Sequence, residues 1–194
     1  MMVTTFYKVL SKQEFSTGLL TLRSIRPEDI EKIRVWRNTQ IHVLRQKYQI
    51  DKEGQQSYFE SQVWPEMSSL RPSKVLFSID QNEEMIGYGG LVHISWEDKR
   101  AEVSFLLDPE IERDSKRKEL VLGKFLDLLR FVAFRELKLN RLFTETFSFR
   151  TRHIRILEKS GFRHEGTLRS HILIDSAPYD SLIHGVLSSE WSPA

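Results

Sequence analysis

The sequence predicts an α+β domain built on a central mixed, mostly antiparallel sheet of six to seven strands, flanked by about four helices. Three observations lead there. Residues 100–107 alternate cleanly, with Ala101, Val103, Phe105 and Leu107 on one face and Glu102, Ser104 and Leu106 on the other, the two-residue period of a strand. Residues 119–137 are apolar on most sides, interrupted by Lys124, Asp127 and Arg130, as in a long buried helix. Lys159-Ser160-Gly161-Phe162 reads as a helix end, because glycine past the last turn takes a left-handed conformation without a Cβ penalty.

The remaining elements follow in order. Residues 1–16 fit no period; Phe6, Tyr7, Val9 and Leu10 suggest an arm packed on the domain. Residues 19–23 read as a strand. Pro27-Glu28-Asp29 opens a helix, since proline suits the first helical position and acids suit the positive dipole end; Ile30, Ile33 and Trp36 recur at helical spacing. Asp51 and Glu53 start a second amphipathic helix carrying Tyr58, Phe59 and Val63, with its stop near Pro65. Residues 75–80 and 85–94 form strands joined by a turn at Gln81-Asn82-Glu83. After the long helix, residues 141–147 form a strand and 151–160 a helix. Residues 162–174 and 179–187 form a hairpin across Asp175-Ser176-Ala177-Pro178. No internal repeat is visible, so the 194 residues read as one domain, long enough to bury a full core.

Composition narrows the function classes. No apolar run approaches the roughly 20 residues of a membrane span, and the amino terminus lacks a signal pattern, which predicts a cytoplasmic location. The chain has no cysteine, which excludes disulfides, thiolate metal sites and a cysteine nucleophile. A net charge of +2 argues against a dedicated nucleic-acid partner. The histidines His93, His164, His171 and His184 show no ligand spacing, so no metal site is expected.

Five segments carry a resemblance: Trp36-Arg37-Asn38, Ile86-Gly87-Tyr88-Gly89-Gly90-Leu91, Ala101-Glu102-Val103-Ser104-Phe105, the run Phe134 to Phe147 with Leu139-Asn140-Arg141 and Glu145, and Leu157 to Phe162 followed by Glu165-Gly166 and Arg169. Together they resemble the GNAT (Gcn5-related) N-acetyltransferases, along nearly the whole chain after residue 18. The Trp-Arg-Asn triplet is similar to the subgroup containing ribosomal-protein and nucleotide-sugar N-acetyltransferases. The resemblance implies a GNAT fold and acetyl-CoA as co-substrate. It also implies a small-molecule amine acceptor, above all an amino sugar on a nucleotide carrier, attacked directly in a ternary complex. A protein N-terminus or a polyamine stays open as acceptor, a homodimer is compatible, and a GNAT-like acyl-CoA-binding domain without turnover is the alternative.

The resemblance also assigns residues. Family members cradle the coenzyme pyrophosphate with Gln/Arg-x-x-Gly-x-Gly/Ala at the start of the long helix, where glycines and the helix dipole suit an anion. Here that stretch is Arg117-Lys118-Glu119-Leu120-Val121-Leu122. Both glycines are leucines, so the cations Arg113, Lys116, Arg117, Lys118 and Arg150 are expected to supply part of the cradle. Backbone N–H groups of Phe105, Leu106 and Leu107 are expected on the pantetheine and the acyl carbonyl. Glu102 matches the family's acidic position and is the candidate base; Glu145, beside Phe143 and Phe147, is the rival carboxylate. Where members place a tyrosine before the Glu-Lys pair this chain has Leu157, and His153 stands at a serine position. His153, with an ordinary imidazole pKa of about 6.5, is then the candidate acid for the departing thiolate. Trp36, Arg37, Asn38, Asp180 and His184 are expected to line the acceptor side.

Overall fold

The computed structural model describes residues 5–192. Its centre is one eight-stranded sheet in the order β1-β2-β3-β4-β5-β6-β8-β7. The strands are β1 (Glu14–Ser16), β2 (Thr21–Ser24), β3 (Val75–Gln81), β4 (Glu84–Ser95), β5 (Arg100–Leu107), β6 (Arg141–Phe147), β7 (Arg163–Ile174) and β8 (Ala177–Leu187). Every neighbouring pair is antiparallel except β5 and β6. The sheet has one strand more than expected because part of the supposed arm, Glu14–Ser16, pairs with Thr21–Arg23. The rest of that segment packs as an arm: Tyr7 is fully buried and its hydroxyl accepts from the Leu76 amide.

The helices are α1 (Ile30–Thr39), α2 (Lys52–Gln62), α3 (Trp64–Met67), α4 (Pro109–Arg113), α5 (Ser115–Phe131) and α6 (Thr151–Lys159). A 3-10 turn, Pro27–Asp29, leads into α1, and Asp29 caps that turn by accepting from the Arg26 amide at 2.8 Å. Arg23 ties that cap to the sheet, contacting both Asp29 and Asp80. α2 stops at Gln62, near Pro65 as expected, and Pro65 itself sits in the first turn of the short α3, where a missing N–H is harmless. α5 begins four residues earlier than its apolar period suggested, because the Asp114 carboxylate accepts from the amides of Lys116 and Arg117. It runs into a π-helical segment, Val132–Glu136. Two of the hairpins, β3–β4 and β7–β8, turn on Asn82-Glu83 and Asp175-Ser176, all four at positive φ, as two-residue turns require. Of these, the second is therefore tighter than the four residues expected.

α6 ends as its sequence predicts. Gly161 sits at φ +86°; its amide bonds to the Glu158 carbonyl and the Phe162 amide to the Leu157 carbonyl, both at 3.0 Å. This is a Schellman closure, and it drops Phe162 into the core. The amphipathic face of α6, through His153, Ile156 and Leu157, lies buried on the sheet beside the α5 residues Val121, Leu122 and Phe125.

Candidate active site

The site arises from a defect in the sheet. β5 and β6 pair only at Arg100↔Arg141, Ala101↔Leu142 and Glu102↔Phe143. Beyond that point β5 stays with β4 as far as Gly87↔Leu107, while β6 stays with β8 as far as Phe147↔Ser181. The two strands part, and a cleft of about 390 Å³ opens between them, with Glu102, Phe105, Glu145, Arg150 and His153 in its walls. The Asp108 amide donates to the Ile86 carbonyl at 2.8 Å, which makes Gly87 and Leu107 a non-hydrogen-bonded pair. By the alternation of an antiparallel ladder, the backbone groups of Val103, Phe105 and Leu107 face the β6 side. Past Glu102 that side is the gap, and the N–H groups of Phe105 and Leu107 point into it. Leu106 faces β4 instead, so its amide is removed from the expected set.

Two carboxylates stand on the rims. Glu102 is 8% exposed. One of its oxygens accepts from Arg45 Nη2 at 2.8 Å and the other contacts His93 Nδ1 at 2.8 Å. Glu145, across the gap, accepts from the same Arg45 nitrogen at 3.0 Å and has His171 3.7 Å away. His93 reaches Glu102 because β4 bulges between Val92 and Ser95, with His93 itself at φ +50°; bulges re-aim side chains in this way. Arg45, His93 and His171 were not legible as site residues. Each lies outside the strands and helices that periodicity picks out, or in an irregularity within one.

His153 is only 3% exposed, and its ring stacks on Phe105 with centroids 5.1 Å apart. Burial first, then the charges of Arg150 and Lys118, hold its pKa well below the ordinary 6.5. The expectation of a ring poised near neutrality is corrected: His153 is neutral at pH 7, and its Nδ1 has no partner among the described residues. His184 is displaced from the acceptor side. It is wholly buried beneath α6, between Thr144 and His164 in the sheet, and burial lowers its pKa too, with His164 adding to the effect. Both rings bind protons less well folded than unfolded. Their contribution to stability is thus complete above about pH 6.5 and is lost as pH falls toward their folded values, at up to about 1.4 kcal/mol per pH unit for each proton. The chain is expected to lose urea resistance between pH 6.5 and 5, and His153→Phe to flatten that decline; an unchanged slope in the variant would remove His153 as its source.

The phosphate side also needs correction. Lys118 is buried and paired with Glu112, which takes Arg150 as well at 3.5 Å. Burial lowers the pKa of both cations. Leu120, Val121 and Leu122 lie past the first turn of α5, where amides are spent within the helix; Val121 and Leu122 are core, and Leu120 faces solvent. The first-turn amides of Lys116 and Arg117 already serve Asp114. What faces outward at this end of the cleft is Arg113, Lys116, Arg117 and Arg152.

On the other side, the Trp-Arg-Asn triplet splits its roles. Trp36 is core. Asn38 staples the segment after α1, bonding the amide and carbonyl of Ile50 and the side chain of Gln46. Only Arg37 faces open space, donating to the Tyr88 hydroxyl at 2.8 Å and to Gln46 at 2.9 Å. It borders both the cleft and a second cavity of about 590 Å³ between α1, α2 and β4, lined by Lys47, Tyr48, Tyr58, Phe59 and Tyr88 among others. Asp180 lies apart, accepting from the Ser170 amide at 2.8 Å in a shallow depression shared with His171.

A family model, the acetyltransferase (GNAT) domain, matches residues 22–183. The chain belongs to the GNAT acetyltransferase family. It is 29% identical over 105 residues to an uncharacterized N-acetyltransferase, YoaA, of Bacillus subtilis (strain 168), a match spanning 54% of this chain and 56% of that relative's length. Among solved structures it is similar to a spermidine N-acetyltransferase from Vibrio cholerae in complex with CoA and spermine. The TM-score there is 0.77 at 18% identity, over 90% of this chain and 98% of that one. A manganese complex of the spermidine/spermine N-acetyltransferase SpeG from the same organism gives 0.70 at 20% identity, over 89% and 95% of the two chains. At such identities the GNAT likeness is one of fold. No helix among the described residues is long and apolar enough to cross a membrane.

Proposed function

We propose that this chain is an acetyl-CoA-dependent N-acetyltransferase that acetylates a primary amine by direct attack within a ternary complex. The single observation that carries the reading is the parting of β5 and β6 immediately after Glu102↔Phe143, with a carboxylate on each rim. Acetyl transfer needs a neutral amine, close approach to the thioester and donors for the carbonyl oxygen. Glu102, on the rim, is the base. The Phe105 and Leu107 amides are the donors, and although the Leu107 carbonyl already accepts from Gln40 Nε2 at 2.8 Å, the N–H groups of this edge suit the amide carbonyls of a pantetheine arm.

The residues present fit the coenzyme, which supplies the acetyl thioester. The strand edge fits its arm, and the outward cations Arg113, Lys116, Arg117 and Arg152, with Arg150 deeper in the cleft, fit its phosphates by charge rather than by a glycine cradle. His153, neutral and unpartnered at Nδ1, is a hydrogen-bonding group in the wall; a thiolate of ordinary thiol pKa, about 8.5, leaves without needing an imidazolium. Lys116→Glu with Arg117→Glu is expected to raise KM for acetyl-CoA at least fivefold and to leave KM for dephospho-forms less affected. Unchanged affinity for both would move the phosphates elsewhere.

The acceptor we propose is an amino sugar, on a nucleotide carrier. Its support is the second cavity, where Arg37 and Lys47 offer cations for phosphate, and Tyr58 and Tyr88 offer apolar faces for a base. A polyamine is the second reading, favoured by the carboxylates Glu102 and Glu145. The test is acyl-CoA binding by thermal shift, then thiol release with nucleotide-linked amino sugars, N-terminal peptides and spermidine. Coenzyme binding without release on any amine would point instead to a binding domain, and no binding would remove both readings.

A further inference from the structure

Arg45 places one nitrogen, Nη2, between the two rims of the cleft, 2.8 Å from Glu102 Oε1 and 3.0 Å from Glu145 Oε2. We propose that this nitrogen marks the position of the acceptor's ammonium, so that the resting protein is blocked by its own cation and an acceptor binds by displacing Arg45. This deepens the reading of the site as an acetyltransferase and rests on it.

Three features of the molecule support the assignment. The carboxylates are 8% exposed and partly exposed respectively and sit on strands, whereas the Arg45 side chain is 52% exposed and rides on the irregular segment after α1. That segment is held at Asn38 and Gln46 rather than by a ladder, so it can swing while the rims stay in place. Charge makes the exchange close to even. Arg45 leaving alone would strand two facing carboxylates, which is costly; an incoming monocation replaces it one for one. Finally, neither Phe105 nor His153, which line the same cleft, takes part in the Arg45 contacts, so the exchange leaves that wall undisturbed.

The geometry also fixes what happens to the proton. An ammonium in this position donates to Glu145 and to Glu102 simultaneously. Glu102 accepts one proton, its carboxylate becoming a carboxylic acid and the ammonium a neutral amine; Glu145 holds a remaining N–H and with it the nitrogen's orientation. His93, in contact with the other Glu102 oxygen and largely exposed at 69% of its side chain, lies between Glu102 and solvent and is the outlet for that proton. His171 flanks Glu145 from β7. The slot takes a single ammonium at the reacting end, and whatever the acceptor carries beyond it extends toward Arg37, whose positive charge disfavours a second ammonium there.

The proposal is tested with n-butylammonium chloride as probe, by thermal shift against matched sodium chloride. Arg45→Ala is expected to gain about 2–4 °C in Tm at several times the probe's Kd. The native protein is expected to show no gain beyond salt at the same concentration, and Arg45→Ala combined with Glu145→Ala to lose the gain. Equal shifts in native protein and Arg45→Ala, or none in either, would overturn it. Arg45→Gln, which keeps much of the stem, serves if the alanine form fails to fold. Failure of the enzymatic reading is read separately: a positive probe shift with no thiol release on any amine removes acetyl transfer and leaves the displaceable cation standing.

Discussion

Glu102→Gln is expected to lower kcat for acetyl transfer at neutral pH by about 10²-fold or more, with KM for the acceptor changed far less. The magnitude follows from the usual contribution of a positioned base, roughly 10²–10⁴-fold. The split between kcat and KM follows from shape. Glutamine keeps a carbonyl oxygen that still accepts from a bound ammonium or from Arg45, so ground-state contacts survive, but it takes no proton. Glu145→Ala makes the complementary case: it removes that acceptor oxygen altogether and leaves the base, so KM rises and kcat falls less. Steady-state kinetics of the two variants, run side by side, decide the roles. Should Glu145→Ala abolish turnover while Glu102→Gln leaves it near native, the base is on β6 and the roles are reversed.

The second large effect is on stability. Gly90→Ala is expected to destabilise the fold by about 3 kcal/mol or more, placing it with the severe class of substitutions, and to lower Tm by at least about 6 °C. A Cβ at position 90 would lie 2.0 Å from the Val75 carbonyl oxygen and 3.0 Å from Leu76 Cα, and the residue sits at φ +157°. Neither neighbour is a side chain that can rotate away; both belong to β3, paired to β4 at this point through Leu76↔Gly90. Relief requires moving β4 off β3. Because β4 also carries β5 through Gly90↔Ser104 and Val92↔Glu102, that movement displaces the Glu102 rim. Urea unfolding checks the first consequence and thiol-release activity of the surviving fold the second. A variant melting within 2 °C of native would show that β3 and β4 adjust freely, and the close approach would lose its explanatory weight.

These two effects meet in neighbouring strands, β4 and β5, and they mark how far the sequence could be read. The strand pattern of residues 100–107, the long helix and the glycine closure of α6 follow from local rules, and each holds: the alternation sets Glu102 apart from Val103 and Phe105, and Gly161 takes the left-handed conformation its position demands. The resemblance gives the family and the candidate base. Where local reading failed, tertiary competition decided. Asp114 caps α5 and takes amides reserved for phosphates. Lys118 reads as surface and is buried on Glu112. His184 shares a strand face with Asp180 in the sequence, yet β7 and α6 cover it. Trp36 occupies the core face of α1 while its neighbour Arg37 reaches the site.

Periodicity, caps and turn residues act over a few positions, so the order and type of the main elements and the carboxylates on β5 and β6 were readable along the chain, and the motifs added the family. The resemblance implied that the strands carrying Glu102 and Glu145 splay; the folded chain added that they do so after Glu102↔Phe143, that Arg45 lies between the two carboxylates, and that His153 is buried and neutral. Those are consequences of packing, desolvation and charge between residues as far apart as 45 and 145, and no local pattern encodes them.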